Sequence, residues 1–337
     1  VKDLTRIKYI IINHLEPDHQ SSTPRLLELA PDAKILISKA GPKIAQSFYD
    51  FPQDRVIPVN DNDRISLGNK TLRFIIAPWL HWPETMMTYE EEDEILFTTD
   101  VFGSYGWVKD GMFDDEIDME RYRDEAKRYY INIIGKYNKY TLAALEKIKD
   151  LNIKIIAPSH GPIYRKNVKE IIENYRKWAN PELKDVAIIY ASMYGHMNTI
   201  TNYIEKRLTE KNIPVRRIDL VEKHPSYVLS ETNESLLFVF GIPTYDASVF
   251  MPLQNMLYVF KTKDLGHHRP AAIINTYGWT PIIDLAKETV KNSGFEILEP
   301  AISIKASPRG KDAERLDELI EKVIEKYYSI TGTHEIH

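Results

Sequence analysis

The sequence of 337 residues contains no cysteine. This absence excludes disulfides, zinc or iron–sulfur centres bound by cysteine, and a thiol nucleophile. Any bound metal therefore depends on His, Asp, Glu or water. Long apolar runs are absent as well, since the longest, such as YIII at residues 9–12, have only the length of a strand.

The charge balance is nearly even. Lys and Arg number 44 and Asp and Glu 49, so the formal net charge of −5 argues against nucleic acid as the main partner. The opening residues lack the charged, apolar and small-residue layout of a signal peptide. We therefore expect a protein without membrane association, located in the cytoplasm.

The length predicts about two domains, at roughly 150 residues each. Short apolar runs at 8–13, 33–38, 71–78, 94–100 and 153–160 indicate buried strands that end in polar loops, and 115–150 and 166–178 have helical spacing. Near Pro181 a helix ends and strands at 185–192, 214–220, 236–243, 270–278 and 295–300 alternate with helices. We expect an α/β protein with domains at 1–180 and 181–330, the second a doubly wound sheet of parallel strands, and a tail at 331–337.

Potential metal ligands follow several strands of the first domain. Residues 14–19 contain two imidazoles and two carboxylates directly after a strand, which alone is equally typical of a polar turn that caps a helix. Three further loops each add one imidazole or carboxylate just after a strand. The predicted ligands are His14, Glu16, Asp18, His19, His81, Asp100 and His160.

This ligand set fits two metal ions, with three ligands on each and one bridging carboxylate. Imidazoles and carboxylates without sulfur suit iron, manganese or zinc, and the large share of oxygen ligands favours iron, although zinc stays open. We predict no catalytic residues beyond the metal ligands.

The second domain begins with a strand and a loop at 192–198 whose hydroxyls, Gly195 and following helix are typical of phosphate binding, although any such unit needs a turn there. Loops after the third and fourth strands place aromatic rings and amides where a flavin ring lies in a flavodoxin-like sheet. The predicted cofactor-binding residues are Ser192, Met193, Tyr194, Gly195, His196, Met197, Asn198, Pro243, Thr244, Tyr245, Asp246, Thr276, Tyr277, Gly278 and Trp279.

The pattern His-x-Glu-x-Asp-His at 14–19, followed by HWPE, DVFG and SHGP, resembles the metallo-β-lactamase-like domain of the flavodiiron proteins, or A-type flavoproteins. Glu16 stands where zinc hydrolases of that fold usually carry a second His. SMYG, PTYD and TYGW resemble the FMN loops of the same family. The resemblance implies an αββα sandwich followed by a flavodoxin-like five-stranded parallel sheet, and a chain that lacks several tens of N-terminal residues.

The resemblance also implies roles for the ligands. His14, Glu16 and His81 hold the iron nearer the flavin, Asp18, His19 and His160 hold the farther iron, and Asp100 bridges them. The implied activity is an oxidoreductase that reduces dioxygen to water, nitric oxide to nitrous oxide, or both, with FMN and two irons per chain. Subunits of the family pair head to tail as a homodimer or tetramer, and rubredoxin or reduced deazaflavin supplies the electrons.

One position departs from the family pattern. Met197 stands where the family usually has Thr, so a hydroxyl contact with the FMN phosphate is lost, and Asn198 or Thr199 is expected to take its place.

Two other functions compete with this interpretation. A binuclear zinc hydrolase with an appended flavodoxin domain predicts zinc and activity without FMN. An electron-transfer flavoprotein with a degenerate metal site predicts a missing ligand, and none of the seven is missing.

Overall fold

The computed structural model describes residues 3–109 and 111–332. The chain divides into two compact units, Val1–Asn180 and Pro181–His337. The predicted tail at 331–337 lies mostly outside the described residues, which end at Gly332. Helix α11 (Lys311–Thr331) includes the first residue of the predicted tail. No helix within the described ranges combines the length and the apolar character needed to cross a membrane.

The first unit contains two sheets and their flanking helices. Its strands are β1 (Tyr9–Ile12), β2 (Lys34–Ser38), β3 (Val56–Val59), β4 (Arg64–Ser66), β5 (Thr71–Ile76), β6 (Met86–Glu90), β7 (Ile95–Thr99) and β8 (Ile155–Pro158). Its helices are α1 (Pro17–Gln20), α2 (Thr23–Leu29), α3 (Gly41–Ala45), α4 (Met119–Tyr129), α5 (Asn138–Ile148) and α6 (Val168–Ala179). A π-helical turn at Tyr130–Ile134 and a 3-10 turn at Gly135–Tyr137 join α4 to α5, and further 3-10 turns occupy Leu4–Arg6 and Gln53–Arg55.

The two sheets of this unit pack face to face. One is parallel with the order β1-β2-β3, and the other has the order β4-β5-β6-β7-β8 with β7 and β8 parallel. Their shared core contains Leu36 and Val59 from the first sheet and Leu72, Phe74 and Met86 from the second. Burial of these apolar side chains holds the sheets together, and it leaves the loops after β1, β7 and β8 free to carry polar groups.

Three strands of this unit were not predicted. Strand β6 lies in the middle of the second sheet, and all five of its residues are buried, so its sequence MMTYE lacks the alternation that reveals a half-buried strand. Strand β3 contains Pro58 and lies at a sheet edge, where proline is tolerated. Strand β4 has only three residues.

The second unit is a single doubly wound sheet. Its strands are β9 (Asp185–Tyr190), β10 (Val215–Asp219), β11 (Ser235–Tyr245), β12 (Ser248–Val249), β13 (Pro270–Tyr277), β14 (Glu296–Ile297) and β15 (Ile302–Lys305). Its helices are α7 (His196–Glu210), α8 (Pro225–Glu231), α9 (Met251–Lys263), α10 (Ile283–Asn292) and α11. The parallel order is β10-β9-β11-β13, with β14 and β15 both paired to β13.

The predicted fold class is confirmed, but the predicted fifth strand at 295–300 has wrong bounds. The strand is split into β14 and β15 because the segment between them leaves the ladder around Pro300, which has no backbone N–H to donate. On one face of the sheet, α11 buries apolar residues at helical spacing against α7 and the central strands. These residues are Leu316, Leu319, Ile320, Val323, Ile324 and Tyr327.

Candidate metal centre and flavin site

The structure brings all seven predicted metal ligands together at one end of the first unit. Residues 14–19 follow β1, His81 lies in the loop between β5 and β6, and Asp100 and His160 follow β7 and β8. Because β7 and β8 are parallel neighbours, their carboxyl ends, and so Asp100 and His160, meet at the same edge. The ligands form two groups. Within each group, the donor atoms lie within 4.8 Å of one another.

The first group consists of His14, Glu16, His81 and Asp100. The Glu16 carboxylate oxygen Oε2 lies 3.1 Å from His14 Nε2 and 3.0 Å from His81 Nε2. Asp100 Oδ2 lies 3.3 Å and 3.5 Å from the same two nitrogens. Two imidazole nitrogens and two carboxylate oxygens therefore converge on one point.

The second group consists of Asp18, His19 and His160. His160 Nε2 lies 3.3 Å from Asp18 Oδ2, and His19 Nε2 lies 3.5 Å from Asp18 Oδ1. The other oxygen of Asp100, Oδ1, lies 3.2 Å from His19 Nε2 and 3.3 Å from His160 Nε2. The Asp100 carboxylate thus presents one oxygen to each group.

Asp100 is 1% exposed and is held as an anion. Burial alone would raise its pKa, but the facing imidazoles of His160, His19 and His81 and the nearby His14 outweigh burial, so the pKa lies well below its usual value. The pKa of His160 is raised, chiefly by the hydrogen bond to Asp100. Burial lowers the pKa of His14, but hydrogen bonds to Glu84 and Glu16 and the charge of Asp100 outweigh it, and the pKa is raised.

The backbone around the ligands is unusually constrained. Thr99 and Phe102, on either side of Asp100, have φ values of 52° and 69°, which are uncommon for residues other than glycine. Gly161, next to His160, has φ 79°, and a Cβ atom there would lie 2.2 Å from Ser104 Oγ. The amide of Ser104 donates to the carbonyl of His160 at 3.3 Å, so the loops after β7 and β8 are fixed to each other.

Among the residues that touch the ligands, a carboxylate and a phenol were not predicted as site residues. Glu84, 1% exposed, accepts a hydrogen bond from His14 Nδ1 at 2.9 Å. The Tyr129 hydroxyl, at the end of α4, donates to Asp100 Oδ1 at 2.9 Å. Burial and the charge of Asp100 raise the pKa of Tyr129 well above its usual value, so its phenol stays protonated. Glu84 belongs to the HWPE motif, which could have drawn attention to it, whereas no signal in the sequence singles out Tyr129.

A cavity of about 370 Å³ opens onto the two groups. In addition to ligands, the residues that line this cavity include Ser104, Tyr105, Tyr129, Ile133 and Gly161. A cavity of this size admits a small molecule to the side of the site that the ligands leave open.

The donor set fits a pair of metal ions. Every imidazole presents Nε2 to a carboxylate of its group, and Asp100 Oδ2 is a buried oxygen without a hydrogen-bond partner. A buried carboxylate oxygen in this position is unfavourable unless a cation balances it. Nitrogen and oxygen donors without sulfur suit iron, manganese or zinc.

The second unit contains a cavity of about 390 Å³ at the carboxyl ends of its strands. Thirteen of the fifteen predicted cofactor residues line it, and Thr280 and Ala306, which were not predicted, do so as well. The two predicted residues outside the lining are Gly195 and Asn198. The rim carries exposed aromatic rings, among them Tyr194 (83% exposed) and Trp279 (86% exposed).

The loop before α7 is built around Ser192 and Gly195. Ser192 Oγ accepts from the amides of Gly195 at 3.1 Å and Asn198 at 3.4 Å, and Gly195 has φ 82°. The residue before α7, Gly195, has no side chain to cap this 15-residue helix, and Ser192 Oγ engages the amide of Asn198 in its first turn. This arrangement favours a phosphate at that end of the cavity.

Two residues of this loop differ in what they contribute. Met197 is 1% exposed and packs beneath β11, where a Cβ atom on Gly241 would lie 2.7 Å from its sulfur. His196 lines the cavity, and its Nδ1 forms a hydrogen bond of 2.7 Å with Ser307 Oγ, which follows β15. The first and last loops of the cavity are thereby connected.

The expected substitutes for the missing Thr hydroxyl are engaged elsewhere. Asn198 Oδ1 accepts from the Tyr190 hydroxyl at 2.9 Å and from Arg217 at 2.8 Å. The Thr199 hydroxyl donates to the carbonyl of Gly195 at 3.2 Å.

A two-unit chain with paired imidazole–carboxylate groups in one unit and a flavodoxin-like cavity in the other defines a class of flavin- and metal-binding oxidoreductases. The family described as ODP family beta lactamase matches residues 1–161. A nitric oxide reductase from Moorella thermoacetica is 30% identical over 331 residues, which cover 96% of this chain and 82% of that protein. A flavo-diiron protein from Clostridium acetobutylicum is 32% identical over 291 residues, with 83% and 72% coverage.

Solved structures agree with these relatives. A variant of the flavo di-iron protein from Thermotoga maritima matches with a TM-score of 0.81 and 30% identity, and the match covers 96% of this chain and 81% of that one. The chain belongs to the flavodiiron protein family. The resemblance inferred from the motifs is confirmed.

Proposed function

We propose that this protein is a flavodiiron oxidoreductase that reduces dioxygen to water, nitric oxide to nitrous oxide, or both. The relative named nitric oxide reductase supports the nitric oxide activity. When bound, a ferrous pair and a reduced flavin supply the electrons for either reduction. The rest of the reaction depends on what the side chains of this chain hold, exclude or donate.

The metal ligands are the proposed site residues. His14, Glu16 and His81 hold the iron nearer the flavin, and the group of Asp18, His19 and His160 holds the farther one. The single observation that carries the proposal is the Asp100 carboxylate, which presents Oδ2 to the first group and Oδ1 to the second. A carboxylate that faces two ligand groups in this way is suited to bridge two metal ions.

The buried surroundings of Asp100 define what the protein itself does during turnover. Tyr129 holds its phenolic proton at 2.9 Å from Asp100 Oδ1, at the wall of the cavity. Because its raised pKa keeps the proton in place, Tyr129 donates a hydrogen bond that orients the bridging carboxylate throughout turnover. Ile133 and Tyr105 line the same cavity and restrict water near the site.

FMN is the proposed occupant of the cavity in the second unit. The loop of Ser192 and Gly195 and the start of α7 are placed to bind its phosphate, and Tyr245, Tyr277 and Trp279 are placed around the ring. The residues proposed to bind FMN are those predicted from the sequence, together with Thr280 and Ala306.

The partners follow from membership of the family. We propose an external electron donor, either rubredoxin or a reduced deazaflavin, and a cytoplasmic location. We also propose a head-to-tail homodimer or tetramer in which the flavin of one subunit serves the irons of another.

The first experiment measures iron, zinc and FMN per chain in protein purified without added metal, followed by anaerobic turnover with each gas. We expect two iron ions per chain, one for each ligand group, one FMN per chain, and consumption of dioxygen or nitric oxide by the reduced protein. Zinc in place of iron, or metal without flavin, would instead indicate the binuclear hydrolase. Full electron transfer by metal-free protein would indicate a flavoprotein with an unused metal site.

A further inference from the structure

Glu84 is a buried carboxylate that the proposed function does not use. It lies in the loop between β5 and β6, three residues after His81, and is 1% exposed. Its Oε1 accepts two hydrogen bonds of 2.9 Å, one from His14 Nδ1 and one from the backbone amide of Leu15. A single carboxylate oxygen therefore fixes both the ring and the backbone of the first metal ligand.

The hydrogen bond decides which nitrogen of His14 is free. An ionised carboxylate only accepts hydrogen bonds, so Nδ1 carries the proton and Nε2 offers its lone pair. That nitrogen points to Glu16 at 3.1 Å and to Asp100 at 3.3 Å, at the centre of the first group. The carbonyl of Glu84 also accepts from Ser38 Oγ at 2.6 Å, which anchors the loop to β2.

Apart from the imidazole of His14, no basic side chain among the described residues balances the charge of Glu84. Among the described residues its only ion-pair partner is His14, and no Lys or Arg reaches it. Its second oxygen, Oε2, is buried without a hydrogen-bond partner. Such a carboxylate is unfavourable in a protein interior unless a nearby positive charge compensates for it.

We infer that Glu84 is a positioning residue that holds His14 as an Nε2 ligand and adds a buried negative charge beside the first ligand group. The inference rests on the proposed function. Glu84 adds its carboxylate to those of Glu16 and Asp100 around His14, at the first ligand group.

The variant that separates charge from geometry is Glu84→Gln. Glutamine is nearly isosteric, and its amide oxygen accepts the same two N–H groups, so His14 keeps its place while the charge is lost. We expect ferrous affinity to fall by about 10- to 100-fold, which is typical for the loss of a group that supports a metal ligand. We also expect the midpoint potential of the iron pair to rise, because removal of a nearby negative charge favours the reduced state.

Anaerobic ferrous titration measures the affinity, and a redox titration followed by electron paramagnetic resonance measures the potential. A third readout is the rise in Tm that iron causes. This rise should be smaller in the variant, because a ligand stabilises the folded protein in proportion to the logarithm of its affinity. A merely structural role would lower the Tm of iron-free and iron-loaded protein equally and leave the potential unchanged.

Glu90→Gln is the matched control. Glu90, the last residue of β6, is 7% exposed, accepts from the amides of Glu92 and Asp93, and forms an ion pair of 3.3 Å with Lys70 instead of a contact with a metal ligand. We expect its substitution to change the Tm of both forms alike and to leave iron affinity and potential at their wild-type values.

The outcomes separate the two claims. Wild-type protein that binds no iron would refute the proposed function and the role of Glu84 with it. Wild-type protein that binds iron, together with a Glu84→Gln variant of equal affinity and equal potential, would refute only the role of Glu84.

Discussion

Replacement of Gly161 by alanine is expected to destabilise the first unit and to weaken iron binding at the second ligand group. The new Cβ lowers the free energy of unfolding in two ways. A non-glycine residue at φ 79° costs about 1–2 kcal/mol, and the overlap with Ser104 Oγ at 2.2 Å costs a further 1–3 kcal/mol or so. The free energy of unfolding should therefore fall by about 2–5 kcal/mol, and any backbone shift that relieves the overlap moves His160 away from Asp18 and His19.

Gly68→Ala isolates the first of these costs. Gly68 has φ 100° in the same unit, and no atom lies within 4 Å of a Cβ placed there. Its substitution should cost only the conformational share, about 1–2 kcal/mol, and leave iron content unchanged. Ser104→Ala removes the overlapping oxygen, and because that hydroxyl is buried without a hydrogen-bond partner, the single variant should be close to neutral.

Urea unfolding of iron-free protein and ferrous titration test this reasoning together. The double variant Gly161→Ala/Ser104→Ala should recover the share of stability that the overlap costs, and part of the iron affinity. Equal stability of the Gly161 and Gly68 variants, or an unchanged iron titration for Gly161→Ala, would show that the contact with Ser104 does not hold His160 in place.

Three further predictions concern other contacts. Tyr129→Phe removes the hydrogen bond that orients Asp100, so turnover should slow by about 10- to 100-fold and the free energy of unfolding of iron-free protein should fall by about 1–3 kcal/mol. Full retention of both in stopped-flow and urea measurements would contradict a role for the phenol. His196→Ala and Ser307→Ala should each weaken FMN binding by about 2- to 10-fold in flavin fluorescence titrations, and since they share one hydrogen bond the double variant should be no weaker than the worse single one. Gly241→Ala should lower the free energy of unfolding by about 1–3 kcal/mol, because the new Cβ overpacks against Met197. Combination with Met197→Ala should partly relieve this loss, and strictly additive unfolding energies would contradict the close packing.

The ligand loops were predictable because each follows an apolar run that ends abruptly in polar residues. That rule located Asp100 and His160 at one sheet edge without knowledge of the other strands. It could not find β6, since a strand buried on both faces shows no alternation. It also gave the fifth strand of the second unit as one segment, where the ladder is interrupted around Pro300.

Supporting contacts were harder to predict than ligands. Tyr129 reaches Asp100 from a helix 29 residues later in the chain, and sequence spacing on a helix gives no information about which strand end it faces. In the flavin cavity, most of the predicted residues do line the wall, but Asn198 was expected to compensate for Met197 and is instead bound by Tyr190 and Arg217. Only the tertiary structure reveals that competition.

The spread of the metal ligands along the chain determines when metal can enter. Residues 14–19 are local, but His81, Asp100 and His160 come from loops of the second sheet, so the complete ligand set exists only where both sheets of the first unit are assembled. An unfolded chain therefore offers no high-affinity site, and iron cannot act as a nucleus for folding in the way that zinc does in small zinc-dependent domains. The complete site is therefore a property of the folded unit, and the metal that fills it is chosen by the geometry of that unit.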